Sequence, residues 1–592
     1  MRALTMTGAR FTWLAPLRGR PSKPGGAACA AFLILAATLA SSCATTNVRR
    51  FQLAPVLWED PDERTFSPRP SGFYSPYMWD GADNTFFRPV SEFFTFEAPR
   101  EAMNVNALDE VPDSSWFTNR VGRTPMTPAE VAAGACGEGF DMPQPWTIVS
   151  GKRDGANPGF TIRDANGVLY LMKTEGTLQP WRPGAADTIG AAIWHASGYF
   201  APCNDVVHFD PSVLARDPEA TIERSNGTEE PLTDEHIEAV LAQALQLPDG
   251  RYRASVSRFI EGAPISAWRY EGVDGQDPND VVAHQHRREL RGMYVLAAWT
   301  DHVDSRQENT MAAWMSGGAP GEGHVRHYLI DFGDCFGIIH SWDPLVRRLG
   351  HSGYLDFEHI LVDFLTLDAI PRPWFAARYG PAGETLGYYD SFRFVPDEWR
   401  PGYPNPAFDR HTERDAAWMA RIIARFSDAH IHALVERGRL PDDVATELSR
   451  TMIARRARIL ERYLTRLSPL AWPEVRPSAS GAELCLEDLA VSSGIRSRRG
   501  RAYGAAAYVG EALTPLERPR MRLAEDARVC AELPRLPHAS AERPVYVVVD
   551  LVAQTAGSET TGPARVHLYA TGPDVLRVVG LERPEGGEAP RP

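Results

Sequence analysis

The fold is decided by two short stretches, HVDSRQEN at residues 302–309 and YLIDFG at residues 328–333. In the first, Asp304 is followed five residues later by Asn309, directly after a segment with helical spacing of apolar residues. In the second, Asp331 ends an apolar strand and precedes Phe-Gly. Asp and Asn also favour turns, so caps and strand ends explain the same pattern without any chemistry.

Lysine is scarce in this chain, with three residues, Lys23, Lys152 and Lys173, among 62 basic ones. Lys152 and Lys173 fall in one stretch of 28 residues that begins at Trp146. An ammonium group is a compact point charge that suits a phosphate or a single carboxylate better than a planar guanidinium does. The pattern favours a phosphate site here, although Lys173 as a surface lysine on a strand is the plain alternative.

The residues around these lysines predict a β-rich segment. A Gly-rich turn at 150–159 separates two short strands, and Asn-Gly at 166–167 between apolar runs is a strong hairpin signal. Helical spacing follows at 185–197. The predicted strands lie at 147–149, 160–163, 168–173 and 255–260.

The remainder of the chain predicts helices and then a second β region. Helices are expected at 286–299, 356–367, 413–437 and 441–467, followed by a Pro-rich linker at 469–477 and by strands at 545–549 and 565–569. The predicted organisation is a signal peptide 1–43, an extended aromatic arm 44–140, a β-rich lobe 141–265, a helical lobe 266–470 and a C-terminal antiparallel β domain 471–592.

The motifs resemble those of protein kinases. His302-x-Asp304-x4-Asn309 matches the spacing of the kinase catalytic loop, and Asp331 begins a DFG motif. Lys173, on the third predicted strand, matches the phosphate-pairing lysine. The resemblance implies an α+β, bilobal kinase-like core.

The resemblance also implies roles for single residues. Asp304 would be the catalytic base, Asn309 and Asp331 would bind Mg²⁺, and Lys173 would hold the phosphates of ATP. The expected nucleotide-binding residues are Gly151, Lys152, Gly155, Gly159, Lys173 and, as the partner of Lys173, Asp187, with Glu175 second.

The pattern departs from ordinary protein kinases in several respects. Val303 replaces the usual Arg, the glycines lack GxGxxG spacing, and twenty-one residues separate Asn309 from Asp331. The chain is more similar to the atypical group that includes the toxin kinase HipA and the spore-coat kinase CotH. Two segments, DEVPDSSWF at 109–117 and RRELRG at 287–292, resemble most an uncharacterised family of bacterial lipoproteins with a kinase-like core, and this similarity covers about residues 100–470.

The N-terminus predicts export. Residues 1–43 carry five basic and no acidic residues, and an apolar run ends in LASSC, which resembles a lipobox with Cys43 as the lipidated residue. An ordinary signal peptide or a retained anchor is the alternative. Without residues 1–43 the net charge would be −19, against −14 for the whole chain, which disfavours nucleic acid as a partner. The expected location is the cell envelope, lipid-anchored, on the periplasmic side or at the cell surface.

The cysteines show no spacing typical of zinc sites. In an oxidising compartment Cys485 and Cys530 would form a disulfide, and Cys136 with Cys203 is the weaker candidate pair. The alternative for each is a small buried apolar residue.

The expected function is Mg²⁺- and ATP-dependent transfer of a phosphoryl group to a hydroxyl on a protein or a glycan. Two other functions fit the same sequence. One is a non-catalytic kinase-like module that binds a ligand at the envelope, where ATP is scarce, and the other is transfer of a nucleotidyl group from the same site.

Overall fold

The computed structural model describes residues 49–72, 82–95, 100–137, 139–151, 158–223, 228–339, 343–367, 369–478, 481–524, 526–555 and 561–585. By their contacts, residues 51–588 make up one unit, and residues 1–50 with 589–592 are assigned to another. Everything below concerns described residues of the first unit. Cys43, the expected lipidation site, lies outside the described residues.

The predicted hairpin at 164–167 forms, and its side chains explain why. Asp164 Oδ1 accepts hydrogen bonds from the backbone N–H groups of Asn166 (2.9 Å) and Val168 (2.8 Å). Gly167 has φ of +84°, a left-handed conformation that glycine adopts without steric cost. This turn joins the second and third strands of a seven-stranded sheet.

The sheet has the order β4-β7-β3-β2-β1-β5-β6, in which only the β1–β5 pair is parallel. Its apolar face is formed by alternating strand residues that pack into one core cluster. The strands are β1 Trp146–Gly151, β2 Gly159–Arg163, β3 Leu169–Thr174, β4 Asn204–Phe209, β5 Leu214–Glu223, β6 Glu229–Pro231 and β7 Tyr252–Arg258.

Helix α3, Arg182–Ser197, follows β3 and buries 14 of its 16 residues. Small residues make this possible, since a Cβ on Gly190 would lie 2.6 Å from Phe332 Cβ. Three shorter helices belong to this half of the chain and to the arm before it: α1 Arg88–Phe94, α2 Pro128–Ala133 and α4 Asp234–Leu241.

The helical region is built around α5, Arg288–Thr300, all of whose residues are buried. The helix predicted at 413–437 is wrong as a single element. Ser427 begins a second helix there, because its hydroxyl and the ring of His430 form a capping box that satisfies the first N–H groups. The helices after α5 are α6 Asp343–Val346, α7 Phe357–Thr366, α8 Pro406–Asp409, α9 Glu413–Ile423, α10 Asp428–Arg437 and α11 Asp442–Ile459.

A hairpin interrupts the helical region directly after α5. Its strands β9, Thr310–Ser316, and β10, Gly323–Leu329, pair without a register shift from Thr310↔Leu329 to Ser316↔Gly323. With β8, Ala263–Ser266, they form a three-stranded sheet. The hairpin accounts for the long spacing between Asn309 and Asp331, because its second strand ends at Leu329, opposite Thr310 where the first strand begins.

The C-terminal region consists of a four-stranded and a five-stranded antiparallel sheet that share one apolar core. The expectation of a linker at 469–477 is wrong, since β11 covers it. The prolines are tolerated because β11 is an edge strand with an irregularity between Ala471 and Glu474. The elements are β11 Leu470–Ser478, β12 Gly481–Asp488, α12 Leu489–Ser492, β13 Arg501–Val509, β14 Thr514–Pro515, β15 Met521–Leu523, β16 Arg528–Pro534, β17 Val545–Thr555, β18 Ala564–Gly572 and β19 Val575–Glu582.

Both predicted disulfides are confirmed: Cys136 with Cys203, and Cys485 with Cys530. Cys335 is free and buried. Among the described residues, no helix has the length and apolarity needed to cross a membrane.

The arm before β1 is tied to the helical and C-terminal regions through Asp109. This carboxylate meets Arg288 on α5 at 2.5 Å, Arg421 on α9 at 3.2 Å and Arg583 after β19 at 2.6 Å. All three guanidinium side chains are at most 5% exposed. One carboxylate of the arm therefore joins three separate parts of the chain.

Candidate functional site

The site is organised around Lys173, near the end of β3. Its Nζ lies 3.0 Å from Asp331 Oδ1 and 3.8 Å from Asp187 Oδ2. Burial alone would lower the pKa of Lys173, but these two carboxylates outweigh it and raise the pKa well above its usual value. The ammonium group therefore stays charged. Its ion pair with Asp331 joins two residues that lie 158 positions apart in sequence.

Asp187 holds the start of α3 against the segment that begins with Asp331. Its Oδ1 accepts a hydrogen bond from the backbone N–H of Phe332 (3.2 Å) and one from Asn204 Nδ2 (3.0 Å). Burial raises the pKa of Asp187, and the charge of Lys173 opposes that shift. The carboxylate thus orients both the lysine and the main chain of the DFG segment.

Glu175, the second candidate partner of Lys173, has another role. Its two oxygens each lie 2.9 Å from Nε of the fully buried Arg253. They also accept the backbone N–H groups of Trp181 and Gly184, both at 3.0 Å. Glu175 therefore fixes the N-terminus of α3 and is not placed beside the ammonium group.

Asp304 and Asn309 lie together at the end of α5. Asn309 Nδ2 donates to Asp304 Oδ2 (3.0 Å) and to the Asp304 carbonyl (2.8 Å). The Asn309 carbonyl in turn accepts the N–H of Ile330, at 3.0 Å, where the hairpin closes. Asn309 is thus bonded on one side to Asp304 and on the other to Ile330, the residue that precedes Asp331.

The carboxylate of Asp304 is partly exposed and forms an ion pair with Arg306. Its Oδ1 lies 3.0 Å from Arg306 Nε, and 28% of the side chain is exposed. Burial raises the pKa of Asp304 to about 7, and Arg306 opposes that shift. A carboxylate with a pKa near neutrality can accept a proton from a hydroxyl and release it again.

Two supporting residues, Asp334 and Asn204, were not singled out in the sequence. Asp334 Oδ1 lies 2.5 Å from His302 Nδ1, and Asp334 Oδ2 accepts the N–H of Asp304 at 2.7 Å. Asn204, described above, supports Asp187. The only signal for Asp334 in the sequence is an additional carboxylate directly after DFG. His302 and Cys335 are both buried.

The expected glycine-rich segment is described only at its two ends. Gly159 lies opposite Lys173 in the β2–β3 pair, and a Cβ there would lie 1.9 Å from the Met172 carbonyl oxygen. A Cβ on Gly151 would contact Ile222. Packing within the sheet therefore explains both glycines. Lys152 and Gly155 lie outside the described residues.

The segment at 399–406 supports the segment that carries Asp304. The Gly402 N–H donates to the Val303 carbonyl at 2.7 Å, and Asn405 Nδ2 donates to the Ser305 carbonyl at 3.1 Å. Asn405 is fully buried. These bonds hold this part of the chain against the loop that carries Asp304.

The donor set fits a hard divalent cation. Asn309 uses its amide nitrogen on Asp304, which leaves its Oδ1 as an oxygen ligand, and the carboxylate of Asp331 is 51% exposed. Amide and carboxylate oxygens are the ligands that Mg²⁺ takes in nucleotide sites. The charged Lys173 beside Asp331 is placed to pair with phosphate oxygens.

Comparison with known proteins adds little. No family model matches the chain. No curated protein matches it either. Among solved structures, it is similar to the crystal structure of a Golgi casein kinase (9% identity, TM-score 0.25, 55% of this chain and 75% of that one). It is also similar to the Golgi casein kinase with Mn/ADP bound (12% identity, TM-score 0.21, 48% of this chain and 74% of that one). Similarities of this size do not establish a shared fold or function.

Proposed function

We propose that this protein transfers the γ-phosphoryl group of Mg–ATP to a hydroxyl on a protein or a glycan, with a bilobal kinase-like core of the atypical group. The observation that carries the proposal is the ion pair between Lys173 and Asp331, at the point where the chain returns to Asn309. Asn309 is bonded to Asp304 through its side chain and to Ile330, the residue before Asp331, through its carbonyl. These residues come from a strand, the turn after another strand and the end of a helix. Their order and residue types are those that phosphoryl transfer requires.

In the proposed reaction the acceptor hydroxyl attacks the γ-phosphorus while the bond to the β,γ-bridging oxygen breaks and ADP leaves. The hydroxyl proton passes to Asp304 Oδ1 or Oδ2. Lys173 neutralises phosphate charge, and Asn309 and Asp331 would hold Mg²⁺, which supplies charge neutralisation when bound. Positioning and fixed charges provide most of the rate in such transfers.

The first experiment measures thermal stabilisation of the full chain by Mg–ATP. Ligand at 100 times its Kd adds about 2.7 kcal/mol to the free energy of unfolding. We expect this gain in the wild type and not in Asp331→Asn. Asp249→Asn is the matched control, because its carboxylate is exposed to a similar extent (49% against 51%) and also pairs with one cation.

The second experiment follows phosphorus label from [γ-³²P]ATP and [α-³²P]ATP into acceptors of an envelope extract. Transfer of γ-label that Asp304→Asn abolishes supports the proposal. Transfer of α-label instead would assign nucleotidyl transfer. Stabilisation by Mg–ATP without any transfer would assign a binding module and overturn the enzymatic function.

We further propose that the protein works in the cell envelope, attached to the membrane through lipid on Cys43. The two disulfides support an oxidising compartment, since such bonds rarely persist in the cytosol. Incorporation of labelled fatty acid in cells that express the wild type, but not Cys43→Ser, would support the anchor. Equal labelling of both would contradict it.

A further inference from the structure

Asp334 is buried and uses both of its carboxylate oxygens on the segment that carries Asp304. One oxygen accepts the Asp304 N–H at 2.7 Å, and the other lies 2.5 Å from His302 Nδ1. Only 6% of the Asp334 side chain is exposed. Asp334 lies three residues after Asp331, so one short turn carries both the expected metal ligand and the acceptor for the Asp304 main chain.

This turn is held firmly from the side of α3. Arg182 Nη1 donates to the carbonyl of Gly333 at 2.7 Å and to that of Cys335 at 2.9 Å, on either side of Asp334. The turn begins with Asp331 in the left-handed region (φ +58°), a conformation that the surrounding contacts must maintain. Asp334 is therefore a fixed anchor, and the Asp304 segment depends on it.

The bond between Asp334 and His302 is strengthened by charge. Burial alone would lower the pKa of His302, but the carboxylate of Asp334, with Cys335 beside it, outweighs burial and raises the pKa well above its usual value. Hydrogen bonds between an ionised donor and an ionised acceptor are about twice as strong as neutral ones. The imidazolium and the Asp304 N–H thus hold the same carboxylate from two sides.

We propose that Asp334 is a positioning residue that fixes the Asp304 segment relative to Asp331. This inference rests on the proposed phosphoryl transfer, in which Asp304 accepts the proton and Asp331 binds the metal. A misplacement of about 1 Å in such a reaction costs about 100-fold in rate. Because Arg182 holds the turn through the carbonyls of Gly333 and Cys335, loss of the Asp334 carboxylate should leave nucleotide binding by Lys173 and Asp331 intact.

The test compares the full chain carrying Asp334→Asn or Asp334→Ala with a matched control, Asp280→Asn. Asp280 is also a buried carboxylate that accepts a backbone N–H (from Asp274, 2.7 Å) and pairs with a histidine (His284, 2.7 Å). Asp280 and its partners lie outside the site. It therefore reports what the loss of such a carboxylate does to stability alone.

Two readouts are needed, amide hydrogen exchange over residues 302–309 without nucleotide, and steady-state hydrolysis of Mg–ATP to ADP and phosphate. We expect faster exchange in both Asp334 variants. We also expect kcat to fall about 100-fold in Asp334→Ala, from the loss of positioning, while KM for ATP stays within about threefold. Asp334→Asn retains one acceptor oxygen and should recover part of kcat. Asp280→Asn should change neither readout.

Unchanged exchange over 302–309 in Asp334→Asn overturns the inference whether or not the protein hydrolyses ATP. Faster exchange with unchanged kcat also overturns it, since the segment would then move without consequence. A wild type that neither binds nor hydrolyses Mg–ATP refutes the proposed function instead, and the exchange readout still decides whether Asp334 anchors the segment.

Discussion

Replacing Asp109 by Asn should destabilise the protein, because its carboxylate pairs with three buried arginines. The side chain stays nearly the same size, and Asn tolerates the left-handed backbone found here (φ +61°), so the substitution isolates the charge. Arg288 and Arg421 keep other carboxylates, Asp415 and Glu110. Removing one partner of a buried ion pair costs about 3–5 kcal/mol, and we expect a loss near the lower end because Asn retains an acceptor oxygen.

Arg583 accounts for most of the expected loss of stability in Asp109→Asn. Apart from Asp109, this buried guanidinium donates to the carbonyls of Ser468 and Leu470. In Asp109→Asn its charge would remain in the interior without that carboxylate. The additional change Arg583→Met should therefore restore part of the stability, so that the double variant is more stable than the sum of the single losses predicts.

The assay is urea unfolding of the full chain, followed by tryptophan fluorescence. Trp418 is a suitable reporter because its Nε1 donates to Glu110, next to the network. The control is Glu474→Gln, whose exposed carboxylate pairs with Arg476 and Arg528 and should matter by about 1 kcal/mol or less. A loss in Asp109→Asn no larger than that of the control would refute the reasoning.

The same pair of proteins gives a pH test. Burial alone would raise the pKa of Asp109, but its arginine partners Arg288, Arg421 and Arg583 hold it well below the usual range. A depressed pKa in the folded state means that the carboxylate stabilises the fold above the unfolded value, near 4. The difference between wild type and Asp109→Asn should thus be constant from pH 5 to 8 and shrink in stronger acid.

Two further predictions concern the packing of α3 and the disulfide between Cys136 and Cys203. Gly190→Ala should lower the thermal midpoint, because overpacking against Phe332 costs about 1–3 kcal/mol and exceeds the gain in helix propensity. Gly318→Ala, where a Cβ would lie in open space, is the control. A midpoint of Gly190→Ala at or above that of the wild type would contradict this prediction. Replacing Cys136 and Cys203 together by Ser should cost about 4 kcal/mol for a loop of 67 residues, measured by urea unfolding; an unchanged midpoint would show that the bond does not form.

Local pattern was enough to predict the parts of the site that follow regular elements. The strand before Lys173, the turn at 164–167 and the helix before Asp304 each have periodic apolar residues and a turn signal. The spacing of Asp304, Asn309 and Asp331 added the resemblance that brought them together. The pattern thus predicted well the local strands, turns and helices and the site residues at or near their ends.

The contacts that support the site were not predictable in the same way. Asp334 meets Asp304 across 30 positions, and Arg253 meets Glu175 across 78. Such pairs leave no periodic trace in a single sequence, because they depend on how separate elements pack. The break at Ser427 was missed for a related reason, since apolar spacing continues through a helix boundary that only a capping side chain defines.

Helix α3 has consequences for how such a protein is controlled. Arg182 fixes the start of the helix, and at Gly190 there is no space for a side chain larger than a hydrogen atom. Asp187 of this helix is bonded to Asn204, which directly follows the disulfide-bonded Cys203. We therefore expect that α3 does not swing outward to separate Lys173 from Asp187. Under the proposed function the protein would be active as soon as it is folded and oxidised, and restraint would have to come from the supply of donor or acceptor.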